Sequence, residues 1–399
     1  MITLGTFISI TGCTAMSLAL SLVIFDKTSS TWLSGIYTAV SLIPSIILPF
    51  FLAPMIDQGN PKNLIVRIDL FTRVLYLCFL FYIKEVGFQY HAYLIFSLII
   101  SSVDAVYDLA YQCLYPELIP KGLKQKGYAV SAMVEPLATA IVAPIIAGVY
   151  SIFGIEIVFL IEGILLITAA AFESRITYEK AVNKSKKISI RERLKVYKQE
   201  LMEGLLYIKR EKGIRNIYSY LAISNATTKG RNLMTMAYFQ SSSLLTTAMY
   251  SLLISAETVG RFIGGLFSYI FKIPEEKKYS ISIKMYMLFE MFDGILLFMT
   301  YPIMIILRFI CGFIGVNTGT LREAAVQNYF DRDIRARVNG INNIVISFSM
   351  LLIQLIVGAL GRYFPYPNIV LVMSIVTLIC VAVFLRRNKK EVEYVYQFK

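Results

Sequence analysis

The sequence holds one histidine, one tryptophan and five cysteines, and only 16% of its residues are charged. Each scarcity removes a class of chemistry. The cysteines (Cys13, Cys78, Cys113, Cys311, Cys380) are scattered through apolar runs. No pair has metal-ligand or redox spacing, so they read as small packing residues. His91, in an expected external turn, reads as a solvated loop residue. No Ser-His-acid set and no glycine-rich phosphate loop is present. The expectation is therefore no metal, no cofactor and no enzyme. A cleavable signal peptide is not expected either: Met1 leads almost directly into an apolar run, with no basic segment and no small-residue cleavage site before Asp26. The charged fraction lies well below the roughly 25% of an ordinary soluble protein.

What the chain has instead is a rhythm. Hydrophobic residues make up 57% of it. They fall into runs of roughly 20 residues, the length that crosses the hydrocarbon of a bilayer as helix. The runs are at 2–25, 32–55, 64–83, 91–113, 128–150, 156–174, 214–238, 244–271, 281–299, 302–325, 338–361 and 367–385. In lipid a backbone satisfies itself only as a helix or a closed barrel. These runs lack the alternation of barrel strands. The expected fold is an all-α polytopic membrane protein with twelve transmembrane helices.

The net charge of +13 first suggests nucleic acid, but its distribution suggests lipid. Lys and Arg gather in alternate turns and in the C-terminal tail, while the opposite side holds Lys27, Lys84 and Arg362. By the positive-inside rule both termini are cytoplasmic, and the basic excess serves topology and anionic lipid. The expected organisation is a six-helix bundle over 1–174, a basic linker over 175–213, a second bundle over 214–386 and a cytoplasmic tail over 387–399. Within the linker, Leu194, Tyr197, Leu201, Leu205 and Ile208 have helical spacing, which predicts an amphipathic helix along the inner membrane surface. Two bundles about a midplane site are the architecture of alternating access.

Charges within the runs are the site candidates, because an Asp, Lys or Arg at a helix centre costs about 2.5–3.5 kcal/mol to insert. Asp69 and Arg73 stand four apart and can pair as an inner-gate clamp. Asp104 and Asp108 stand four apart with like charge; proximity in low dielectric disfavours joint ionisation, as a proton carrier requires. The bland alternative is hydration near the cytoplasmic end or pairing with Arg73. Glu135 precedes Pro136, which frees a backbone carbonyl. Glu257 and Arg261 form another i,i+4 pair deep in the eighth run, and Glu257 is the foremost single candidate for a protonatable or substrate-facing residue. Lys229 and Arg231 lie near midspan, within expected reach of Glu257. Glu290, Asp293 and Arg308 can form another cluster, and Glu162 stands alone beside Gly163. Structural pairing is the competing account of each. Gly260, Gly264 and Gly265, and Ala140, Pro144 and Gly148, fit small-xxx-small helix packing.

Four local motifs carry a family resemblance. They are Ala53-Pro-Met-Ile-Asp57-Gln-Gly-Asn-Pro-Lys62, Asp69-Leu-Phe-Thr-Arg73, Tyr115-Pro-Glu-Leu-Ile-Pro120 with Ala143-Pro-Ile-Ile-Ala-Gly148, and Asp333-Ile-Arg-Ala-Arg337-Val-Asn-Gly340. The chain resembles the major facilitator superfamily, and within it the drug-efflux branch that includes macrolide-efflux proteins and the enterobactin exporter. Ala53, Gln58 and Pro61 depart from the superfamily signature. The resemblance implies a major facilitator fold and gating by Asp57, Lys62, Asp69, Arg73 and Arg337, with Asp57 facing Ala336 to Asn339. The expectation is a monomer in a bacterial inner or plasma membrane, exporting an amphiphilic small molecule or drug in exchange for protons. Uptake of a metabolite or small peptide is the alternative, and a non-transporting membrane partner is a third.

Overall fold

The structure, a computed structural model, describes residues 2–58, 61–118, 141–142, 144–174, 199, 202–271, 273–329 and 332–397. Among them there is no strand. The helices are α1 (Ile2–Thr28), α2 (Thr31–Gln58), α3 (Pro61–Val86), α4 (Tyr90–Leu118), α5 (Pro144–Phe153) and α6 (Ile155–Ser174). After a short helix at 202–210 come α7 (Lys212–Ser241), α8 (Thr247–Ile270), α9 (Glu275–Ile295), α10 (Tyr301–Tyr329), α11 (Arg332–Leu360) and α12 (Tyr366–Cys380). A π turn over Val381–Arg386 extends α12, and α13 (Lys389–Gln397) closes the described chain. This is an all-α polytopic membrane protein.

Apolar windows on α2, α4, α10, α11 and the α12 extension are long enough to cross a bilayer. Polar residues interrupt others: α7 carries Lys229 and Arg231, and α9 carries Glu290 and Asp293. Helix ends follow local chemistry. α3 and α5 stop at Gly87 (φ 81°) and Gly154 (φ 77°), a left-handed conformation that costs glycine little. Thr246 caps α8 by accepting the Met249 N–H at 3.2 Å.

The chain divides into two compact units, Met1–Ser29 with Val40–Ile190, and Ser30–Ala39 with Arg191–Lys399. In the first, α6 packs on α1 and α3, and α3 on α4. Its core is aromatic: Phe79 stacks on Phe96 at 3.9 Å, and Tyr76 meets Phe159 edge-on at 5.7 Å. In the second, α8 packs on α10, α7 on α11 and α12, and α9 on α10 and α12.

The C-terminal segment differs from the sequence expectations. Residues 389–397 form a helix docked on α7, α9 and α10, rather than a plain tail. Val392, Val395 and Tyr396 are buried in a cluster with Ile214, Ile217, Tyr279 and Val338. The reason is apolar periodicity at the very end of the chain, where a basic run conceals it. In the short helix at 202–210, Tyr207 and Ile208 pack against that same cluster while Met202, Leu205 and Leu206 stay exposed, so Leu205 and Ile208, expected on one apolar face, have different surroundings. The remainder of the expected amphipathic helix lies outside the described residues, as does most of the fifth run.

Of the glycines proposed for helix contacts, Gly260 and Gly264 sit at the α8–α10 crossing. A Cβ on Gly260 would strike the Phe309 carbonyl, and one on Gly312 the Glu257 carbonyl. Gly265 and Gly148 face open space, so they are not contact residues. Gly265 follows Gly264 by one position and is therefore turned roughly 100° from the crossing.

Candidate functional site

Ionisable side chains concentrate in one place in each unit. In the first unit α1, α3, α4 and α6 enclose a cavity of about 90 Å³. Asp69, Asp104, Asp108 and Glu162 line it, together with Cys13 and Tyr107. No lysine or arginine among the described residues does so. The helical register explains the convergence: Asp104 and Asp108 are one turn apart on α4, so both reach one side of the cavity. The Cys13 thiol approaches Asp104 Oδ2 at 3.8 Å. Glu162 enters from α6 with only 2% of its surface exposed, and its Oε2 has no hydrogen-bond partner among the described residues. Gly12 makes room for that carboxylate: a Cβ there would fall upon it.

The second unit holds a different arrangement, a linear chain of alternating charge. Glu290 Oε2 accepts from Arg231 Nη1 at 2.5 Å, and Arg231 Nε lies 2.6 Å from Asp293 Oδ2. Asp293 Oδ1 accepts from Arg308 Nη1 at 2.5 Å. Arg308 Nε lies 3.2 Å from Glu257 Oε2, and Glu257 Oε1 accepts from Arg261 Nη2 at 2.6 Å. Three carboxylates thus meet three guanidinium groups, and the chain is neutral. Neutral polar groups complete it: Asn232 accepts from Arg308 at 2.7 Å, and Ser374 and Thr228 each accept from Arg231 at 3.1 Å. The Glu290 end is sealed, with Arg231 and Glu290 both 1% exposed, whereas Arg261 at the other end is 52% exposed.

Several expectations are met by these contacts and others are not. Glu257 and Arg261 pair as their spacing predicts. Glu290, Asp293 and Arg308 do cluster, and Arg231 joins them. Lys229 does not: it is exposed and forms no ion pair among the described residues. Two positions along a helix turn a side chain by roughly 200°, so Arg231 and Lys229 look in nearly opposite directions. Asp69 is buried but no ion pair joins it to Arg73, which is half-buried. His91 is exposed, as expected. Glu135 lies outside the described residues, and Asp57 and Arg337 lie on α2 and α11 where side chains are not described. Lys62, at the start of α3, is half-buried.

Sequence reasoning missed Cys13 and underrated Glu162. Their signal was tertiary, since α1 and α6 are far apart along the chain. Arg322 was also missed. It donates to the Tyr286 hydroxyl at 3.4 Å and lines a cavity of about 170 Å³ with Asn339, Asn342 and Asn343. Among the described residues no group of His, Cys, Asp or Glu has the geometry to hold a metal ion.

Comparisons with known proteins follow from this fold. The Major Facilitator Superfamily model matches residues 2–288 and 285–397. No curated protein matches the sequence. Among solved structures, a POT family transporter in complex with 5-aminolevulinic acid superposes with a TM-score of 0.71 at 12% identity, over 98% of this chain and 96% of that one. The nucleoside transporter NupG superposes with a TM-score of 0.68 at 13% identity, over 97% of this chain and 98% of that one. Identities this low speak to the fold alone. The family match spans essentially the whole sequence, and the chain belongs to the Major Facilitator Superfamily.

Proposed function

We propose that this secondary transporter exports an amphiphilic small molecule in exchange for protons, with coupling carried by Asp104 and Asp108. One observation carries the reading: the contrast between the two units. In the second unit every interior carboxylate of the chain already faces guanidinium. Protonating Glu257 there would take from Arg261 the carboxylate it pairs with and from Arg308 one of two, leaving an excess positive charge, so this foremost sequence candidate is assigned a structural role. In the first unit four carboxylates share one small cavity, and among the described residues no lysine or arginine lines it. Like charges that close in low dielectric favour uptake of a positive charge. A ligand shifts a two-state equilibrium only through differential affinity, so proton and substrate must meet at linked sites. Direction rests on the exporter-like motifs at Asp69–Arg73, Tyr115–Pro120 and Ala143–Gly148.

The test uses everted membrane vesicles with an imposed proton gradient and a fluorescent pH reporter. Compounds that stabilise the purified protein against heat are added in turn. Proton efflux on addition, present with the wild-type chain and lost in Asp104→Asn, supports the reading. Stabilising compounds that move no protons overturn the coupling. Compounds that enter right-side-out vesicles together with protons replace export by uptake.

A further inference from the structure

The carboxylate cavity of the first unit has a property that proton coupling leaves unused. Glu162 is 2% exposed, yet among the described residues Oε2 has no hydrogen-bond donor and no lysine or arginine lines its cavity. An ionised carboxylate taken out of water and left without a donor is among the costliest groups a protein can bury. Its position is built rather than incidental. Gly12 leaves the space the carboxylate fills, and Asp104, on α4, shares the cavity with it. Among the described residues no lysine or arginine lines the cavity, so a donor-bearing cation to serve that oxygen comes with the ligand.

Size narrows what that cation is. The cavity, about 90 Å³, exceeds the ~10–15 Å³ of probe-occupied space that one water needs. It is far below the ~300–1,000 Å³ of a pocket that encloses a drug-sized molecule. It suits a head group, with the body of the ligand elsewhere. Four carboxyl groups in the lining favour a positive head group over a neutral or negative one. The orphaned oxygen requires it to donate. A primary ammonium meets both conditions, with three N–H donors on a compact charge. A quaternary ammonium has the charge and no donor.

We infer that this cavity is a head-group subsite for a primary ammonium, and that the molecule carried is an amphiphilic primary amine. Glu162 Oε2 receives an N–H donor, Asp104 faces the same cavity with its carboxylate, and Gly12 is the residue that admits Glu162 to the site. The inference rests on the transport reading above for its meaning, but the site is testable without it.

Cys13 supplies the readout, because its thiol is exposed and lines the cavity. Purified full-length protein is treated with a cationic or an anionic methanethiosulfonate, and labelling of Cys13 is followed by peptide mass spectrometry. A cleft lined by one sign of charge concentrates counter-ions, so the cationic reagent reacts about tenfold faster or more. Labelling is then repeated with 2-phenylethylamine, its N,N,N-trimethyl analogue, or 2-phenylethanol. Protection by the primary amine alone, lost in Glu162→Gln and weakened in Asp108→Asn, supports the site. Equal protection by the trimethyl analogue removes the donor argument and overturns the primary-amine assignment. No charge preference in the wild-type protein overturns the cation site whatever the variants do. Protection without amine-driven proton efflux in the vesicles keeps the subsite and removes the export reading. Efflux driven by compounds that leave Cys13 unprotected does the opposite.

Discussion

Arg308→Met removes the guanidinium that joins Asp293 to Glu257, and the structure fixes the size of the effect by position. Arg308 is buried and touches Asp293 at 2.5 Å, Glu257 at 3.2 Å and Asn232 at 2.7 Å. Losing one partner of a buried ion pair costs about 3–5 kcal/mol, because the other charge is stranded. That is a large share of the ~5–15 kcal/mol that holds a typical domain together. Arg261→Met makes the comparison. Arg261 touches the same carboxylate at 2.6 Å but is 52% exposed, and exposed pairs contribute about 0–1 kcal/mol. A third variant closes the argument. Combining Arg308→Met with Asp293→Asn leaves two neutral pairs, Glu290 with Arg231 and Glu257 with Arg261. Removing the stranded charge restores about 1–3 kcal/mol relative to Arg308→Met alone, within the range of couplings between contacting residues. Thermal midpoints of the detergent-purified proteins supply the assay. The expected order is wild type, Arg261→Met, the double variant, then Arg308→Met. If Arg261→Met falls as far as Arg308→Met, or the double variant falls below both, the charges are not acting as one neutral chain.

Three further outcomes are open to measurement. Gly260→Ala lowers the thermal midpoint by overpacking the α8–α10 crossing, at a cost of about 1–3 kcal/mol, whereas Gly265→Ala leaves it unchanged; equal midpoints remove the crossing argument. Tyr396→Ala empties the seat of α13 and costs about 3–5 kcal/mol, the range for deleting a buried aromatic ring, with faster amide exchange over 389–397; unaltered exchange in that segment contradicts the docked helix. Lys186 stays unlabelled by a membrane-impermeant amine reagent applied to intact cells and reacts in everted vesicles; labelling from outside reverses the proposed topology.

The fold was legible because the bilayer imposes one length on every crossing, and that length repeats along the chain. Local pairings were legible where helical geometry alone decides them, as for Glu257 with Arg261. The site was only half legible. Asp104 and Asp108 declare themselves by spacing within one helix. Glu162 does not, because its neighbours lie on α1 and α4. Arg231 was named beside Lys229, but only the fold shows that one turns inward and the other outward. The same register effect separates Gly264 from Gly265. The run of charges from Glu290 to Arg261 was visible as fragments, and its continuity depends on α7, α8, α9 and α10 lying side by side.

The docked C-terminal helix also orders events during synthesis. Ile214 and Ile217 emerge early in the second unit, well before Val392, Val395 and Tyr396, which cover them. Their greasy surface therefore stays uncovered until synthesis has passed Tyr396. A product cut short by a premature stop near Asn388 would complete its crossings and still display that bare patch, a mark by which cellular proteases can tell unfinished copies from finished ones.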